Sequence, residues 1–138
     1  MSLSRTLART TLSTTRTLAT ATRSFHVSSR RNDIFADANQ EVFSKAVANK
    51  DKVVLVDFYA EQLSPVLKRL AETDSDVKTG SGAALDLVTV DADVEQALAQ
   101  NFKVAALPTV IAFRDGKPLG KFVGAMPEAS VRNFLKSL

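Results

Sequence analysis

Residues 53–59 (VVLVDFY) form a near-continuous apolar run with a single carboxylate, Asp57, inside it. A strand with one wet face alternates polar and apolar side chains, so a run apolar on both parities predicts a strand buried on both faces. Residues 85–90 (LDLVTV) repeat that pattern. Between the two runs, Leu63, Val66, Leu67, Leu70 and Ala71 recur at i, i+3, i+4, i+7 and i+8, which is the spacing of an amphipathic helix. Pro65 sits within that stretch and either kinks the helix or marks its first turn. Strands of this kind must be covered, so the chain is constrained to a sheet with helices packed against it.

The remaining elements agree with that layout. Asp37 or Asn39 caps a first helix in which Val42, Phe43, Ala46 and Val47 recur at helical spacing, and residues 49–52 form a polar turn. Residues 73–82 (TDSDVKTGSG) read as a flexible polar loop. Asp91-Ala92-Asp93 supplies a turn and N-cap for a short helix over 94–101. A strand at 109–113, a hairpin turn at 114–117 and a mate at 119–123 follow. Residues 124–127 lead into a last helix whose Val131, Phe134 and Leu135 face inward. The order predicts an α/β sandwich of three layers, with a mixed central sheet flanked by helices. No internal repeat is visible, and 138 residues suit one domain at roughly 100–200 residues each.

Charge divides the chain sharply. Residues 1–32 hold Arg5, Arg9, Arg16, Arg23, Arg30 and Arg31 and no acid, proline or glycine. All 15 acids begin at Asp33, against the 12 other Lys and Arg, so residues 33–138 carry a net charge of −3 although the whole chain is +3. The basic balance therefore belongs to the leader and does not argue for nucleic-acid binding. An Arg-, Ser- and Thr-rich, acid-free leader has the composition of a mitochondrial presequence. Leu3 and Leu7 share a helical face, and the continuous apolar core of about 7–15 residues that a secretory signal needs is absent. A disordered basic tail is the plain alternative. The stretch Arg23-Ser24-Phe25-His26-Val27-Ser28 resembles a two-step presequence site, which implies a first cut after Ser24 and a second after Asn32. The expected division is thus 1–32 presequence and 33–138 domain, with the mature protein in the mitochondrial matrix. No apolar run approaches the ~20 residues of a membrane-spanning helix, so no membrane is expected for the mature form.

The chain contains no cysteine, and its one histidine, His26, lies in the leader. A thiol or histidine nucleophile is therefore unavailable to the mature domain, a transition-metal site is not expected, and no phosphate-binding glycine-rich loop is present. No cofactor is expected.

From Val53 to Leu138 the chain looks like a thioredoxin. The matching segments are VVLVDFYA at 53–60, SPVLKRLAE at 64–72, VTVDAD at 88–93, FKVAALPTVIAFRDG at 102–116 and KFVGAMPEASVRNFL at 121–135. In that family the strand ending Asp-Phe-Trp/Tyr-Ala runs directly into Trp-Cys-Gly-Pro-Cys. Here Ala60 is followed by Glu61-Gln62-Leu63-Ser64-Pro65, so the active-site turn and both cysteines are missing while the flanks remain.

The resemblance assigns roles to what is left. Asp57 matches the buried acid that takes a proton from the interior cysteine; without that cysteine it is a relic, or simply an inherited core aspartate whose pKa burial raises. Leu107-Pro108 resembles the family's cis X-Pro bond, and Leu107 would pair its backbone with an extended peptide; the alternative is an ordinary turn before the strand at Thr109. Gly124 and Ala125 match the small residues lining the same groove, although Gly124 equally reads as a strand terminator. Tyr59, at the end of its strand, is a further candidate lining residue.

The excision also raises a folding question. With the turn gone, Ala60 and Glu61 alone must bridge from the strand end to mid-helix, and two extended residues reach at most ~7 Å. Sliding the helix back would turn its apolar stripe away from the sheet. Fraying of the strand at 58–61 with the helix kept in place, and a loss of stability, is the expectation. Two readings of function follow. The first is a redox-silent matrix thioredoxin relative, a monomer, with at most a weak groove for extended peptide segments of matrix proteins. The second is a shortened splice form or exon-boundary product of an active protein-disulfide reductase, since removing whole residues preserves the reading frame.

Overall fold

The computed structural model describes residues 32–61, 64–73, 77 and 79–138. The presequence expectation up to Arg31 and the place of Leu63 in the helical stripe fall outside them. The apolar run becomes the centre of a five-stranded sheet. Its strands are β1 (Ile34–Phe35), β2 (Lys52–Tyr59), β3 (Ala84–Asp91), β4 (Thr109–Arg114) and β5 (Lys117–Val123), in the order β1-β3-β2-β4-β5. The pairs β1–β3 and β2–β3 are parallel, and β2–β4 and β4–β5 antiparallel. The helices are α1 (Gln40–Val47), α2 (Pro65–Thr73), α3 (Gln96–Asn101) and α4 (Glu128–Lys136).

Strand parity sorts the core into two clusters. Val53, Leu55, Leu85, Leu87 and Val110 face Leu67 and Leu70 of α2 and Val131 and Leu135 of α4. Val54, Val56, Phe58, Val88, Val90 and Ile111 face Phe43 and Val47 of α1 and Leu98 of α3. Burial on both faces is why β2 and β3 read as nearly unbroken apolar runs. On the second face Phe43, Phe102 and Phe113 meet with ring centroids 5.2–5.6 Å apart, within the range where edge-to-face contacts are favourable.

Local chemistry sets the element ends. Asn39 caps α1, its Oδ1 accepting from the N–H groups of Glu41 and Val42 at 3.1 and 3.0 Å. Pro65 takes the first position of α2, where an absent N–H costs nothing, and the Ser64 carbonyl accepts from Lys68 N–H at 3.1 Å. The hairpin turns at Asp115 and Gly116, with φ of 52° and 72°, the paired positive values of a tight two-residue turn.

Four expectations are corrected. The strand does not fray: β2 is paired through its last two residues, Phe58 with Val90 and Thr109, and Tyr59 with Asp91. The physical reason is that α2 starts at Pro65, so residues 60–64 bridge the gap, and five residues reach up to ~17 Å where two reach ~7 Å. The helix itself keeps its place as expected, with Leu67, Leu70 and Ala71 of the apolar stripe buried. Strand β1 adds a fifth member that two residues of sequence could not announce. The third helix begins at Gln96, because the Asp91 carboxylate accepts from the N–H groups of Asp93 and Val94 at 2.9 and 3.3 Å and holds them in a turn.

The segment after α2 is also no loose loop where it is described. Val77 and Thr79 are buried, and Gly80 N–H donates to the Leu135 carbonyl of α4 at 3.0 Å. A Cβ on Gly80 would lie 1.9 Å from the Lys136 carbonyl oxygen. Gly80→Ala is therefore expected to lower stability by about 1–3 kcal/mol, read as a lower urea midpoint. An unchanged midpoint would mean that the α4 terminus yields freely.

Candidate functional site

Register brings the retained positions to one end of the sheet. Phe58 pairs with Thr109, which places Pro108 at the end of β2 and Asp57 one pair further in, opposite Val110. The Leu107–Pro108 peptide bond is cis. Thr109 Oγ1 donates to the Ala106 carbonyl at 2.6 Å, closing the loop on itself. Across the hairpin, Gly124 N–H donates to the Pro108 carbonyl at 2.8 Å, and Gly124 has φ of 90°, a conformation that side chains strain. Leu107, Pro108, Gly124 and Ala125 are thus gathered at one edge, with Ala125 exposed.

The edge is exposed to solvent. Leu107 is 40% exposed and Val123 53%. No hydrogen bond among the described residues engages the Leu107 backbone. Leu107 also borders a cleft of about 270 Å³ that runs beside α3 past Ala92, Gln96, Ala99 and Val104. Sequence reading missed this side of the groove. Its lining is contributed by α3 and the segments before and after it, and no local pattern marks those residues.

Tyr59 is not gathered with them. It pairs with Asp91 on β3, away from β4, and its hydroxyl donates to the Asp37 carboxylate. That hydrogen bond is the main reason its pKa is pushed up to about 12. Tyr59 belongs to a separate acidic pocket with Asp37, Asp91 and Glu95.

Asp57 is 1% exposed. Its Oδ2 accepts from Ser64 N–H at 3.2 Å, which ties the start of α2 to the strand, and its Oδ1 has no partner among the described residues. Burial pushes its pKa up to about 6, while the Ser64 N–H pulls in the opposite direction. An acid so placed can exchange a proton near neutral pH, but no thiol stands anywhere in the chain. Among the described residues no group of three or more His, Asp or Glu is placed to hold a metal ion, and no helix is long and apolar enough to cross a membrane.

Comparison with known proteins supports the resemblance. The thioredoxin family model matches residues 34–137. A thioredoxin of Mycobacterium tuberculosis is 35% identical over 89 residues, which cover 64% of this chain and 76% of that protein. The mitochondrial thioredoxin of Rattus norvegicus is 31% identical over 116 residues, covering 84% and 69%. Among solved structures, a single-residue mutant of a thioredoxin from Halobacterium salinarum superposes with a TM-score of 0.61 at 27% identity, covering 76% of this chain and 89% of that one. Mitochondrial thioredoxin 3 of Saccharomyces cerevisiae, at 24% identity and TM-score 0.60, shares the fold, covering 76% and 95%.

Proposed function

The chain belongs to the thioredoxin family, and from that premise we propose that it is a mitochondrial member without redox chemistry that keeps a groove for extended peptides. One observation carries the reading: the strand and the helix on either side of the active-site turn are both in place, and the chain has no cysteine. Disulfide exchange requires a thiolate to attack and a second thiol to release the product. Neither exists here, so the buried acid has nothing to deprotonate. The acid-free, arginine-rich leader and the mitochondrial relative support a matrix location, with residues 1–32 as presequence.

What the groove offers is backbone pairing at Leu107, a small-residue wall at Gly124 and Ala125, and exposed apolar side chains at Leu107 and Val123. That combination suits strand addition by an unfolded segment of a matrix protein, with main-chain bonds supplying affinity. In an NMR titration of the full chain with an unstructured peptide of alternating apolar residues, shifts are expected at residues 106–109 and 123–125. Leu107→Asp is expected to weaken binding about tenfold. An absence of shifts at about 1 mM peptide would remove the groove from the proposal.

A second reading is favoured by the same intact flanks together with the Asp57 oxygen that has no partner among the described residues: this is a shortened form of a disulfide reductase. Sequencing the transcript across the codons for Ala60 and Glu61 tests it. A form with Cys-x-x-Cys at that junction supports it, and transcripts that all match this chain reject it.

A further inference from the structure

We propose that Asp86 is a receptor for a free N-terminus: cutting the chain after Asn32 would seat the new α-ammonium of Asp33 on the buried Asp86 carboxylate. The proposal rests on the import reading for the cut itself. The seat, in contrast, is visible in geometry that serves neither the groove nor Asp57.

The backbone nitrogen of Asp33 already lies 2.9 Å from Asp86 Oδ1, and the Asp33 carbonyl accepts from Leu87 N–H at 2.9 Å. Residue 33 is therefore fixed on β3 one position before the β1 ladder begins at Ile34 and Leu87. Asp86 is 3% exposed. Lys52 Nζ donates to Asp86 Oδ1 and to Asp33 Oδ2, each at 2.8 Å, and the Lys52 side chain is 16% exposed. Burial works to lower the Lys52 pKa, yet the two carboxylates outweigh it and the net shift is upward. Among the described residues, α1 adds a further charge beside this site: Lys45 lines the adjoining pocket and is held by Glu41 at 2.6 Å.

Among the described residues two carboxylates, Asp33 and Asp86, face the Lys52 ammonium at this spot, and Asp86 is almost out of water. An uncompensated charge in such a place is costly. Hydrolysis of the Asn32–Asp33 bond consumes one water: its hydroxyl completes the Asn32 carboxylic acid, and its hydrogen completes the Asp33 amine, which then takes up a proton. The result is two ammonium groups against two carboxylates. A neutral N–H···O⁻ contact becomes a doubly charged one, the stronger and shorter class, without any movement of the chain. Maturation would thereby tighten the edge strand β1 on the sheet.

The test compares full chain, residues 33–138 with a free amine, and residues 33–138 with an acetylated amine; every described strand and helix lies within that fragment. The free-amine form is expected to melt about 4–8 °C above the acetylated form near pH 6. Its α-amine is expected to titrate about one unit above the ordinary 7.7–8.0. Asp86→Asn should erase both differences. Should that buried variant fail to fold, the amine titration in the unmodified sequence decides alone. Equal melting of free and acetylated forms, or an amine pKa in the ordinary range, overturns the seat. N-terminal sequencing of the protein from mitochondria separately tests the cut: a start at Asp33 supports it, and any other start refutes the processing site and with it the proposed role.

Discussion

Inserting Trp-Cys-Gly-Pro-Cys-Lys between Glu61 and Gln62 is expected to raise insulin reduction from the level of a protein-free blank to measurable turnover. The expectation follows from what surrounds the gap. Strand β2 is paired to its last residue, α2 packs Leu67 and Leu70 on the sheet, and Asp57 waits beside the junction with one buried oxygen unpartnered among the described residues. Added residues at that point lengthen α2 toward the strand end, where a Cys-x-x-Cys pair at a helix N-terminus gains thiolate character. The cis Leu107–Pro108 loop lies at the same sheet end. In the restored protein Asp57→Asn is expected to lower turnover about 10²-fold, the smaller end of what a positioned proton acceptor contributes. Insertion that folds but stays inactive would show that the chain has lost more than its turn.

The second large effect is a stability that falls as pH rises. Burial lifts the Asp57 pKa from an ordinary 3.8 to about 6. Between those values the folded state holds a proton that the unfolded chain has released, so unfolding becomes easier with rising pH. The stability carried by this group is whole below about pH 4 and gone above about pH 7, a span of about 3 kcal/mol. Asp57→Asn keeps an acceptor for Ser64 N–H and cannot ionise. Relative to the unmodified protein it should therefore gain about 3 kcal/mol between those two pH values in urea unfolding, whatever its absolute stability. Parallel pH profiles for the two proteins would show that Asp57 is not the buried ionisable group proposed.

Much of the fold is legible because it is written in short-range periodicity. The doubly apolar runs of β2 and β3, the i, i+4 stripe of α2, the Asn39 cap and the Asp115-Gly116 turn are each decided by residues within a few positions of one another. Fraying would follow only from a helix that starts right after Glu61, and the five-residue bridge with Pro65 as first helical residue removes that need. The site is half legible. Leu107, Pro108, Gly124 and Ala125 converge through β4–β5 pairing that a hairpin pattern implies. Tyr59 falls elsewhere because strand parity says nothing of a partner 22 residues away such as Asp37. The Ser64 N–H on Asp57 and the Lys52–Asp86–Asp33 cluster, the latter spanning separations of 34 and 53 residues, come from tertiary placement alone.

The most direct test is insulin disulfide reduction by the full chain, run with dithiothreitol as electron source on protein whose cooperative unfolding has been confirmed. A folded chain with a rate equal to the dithiothreitol blank is the predicted result. Reduction above that blank by this cysteine-free polypeptide would contradict the proposal that it is a thioredoxin fold without thioredoxin chemistry.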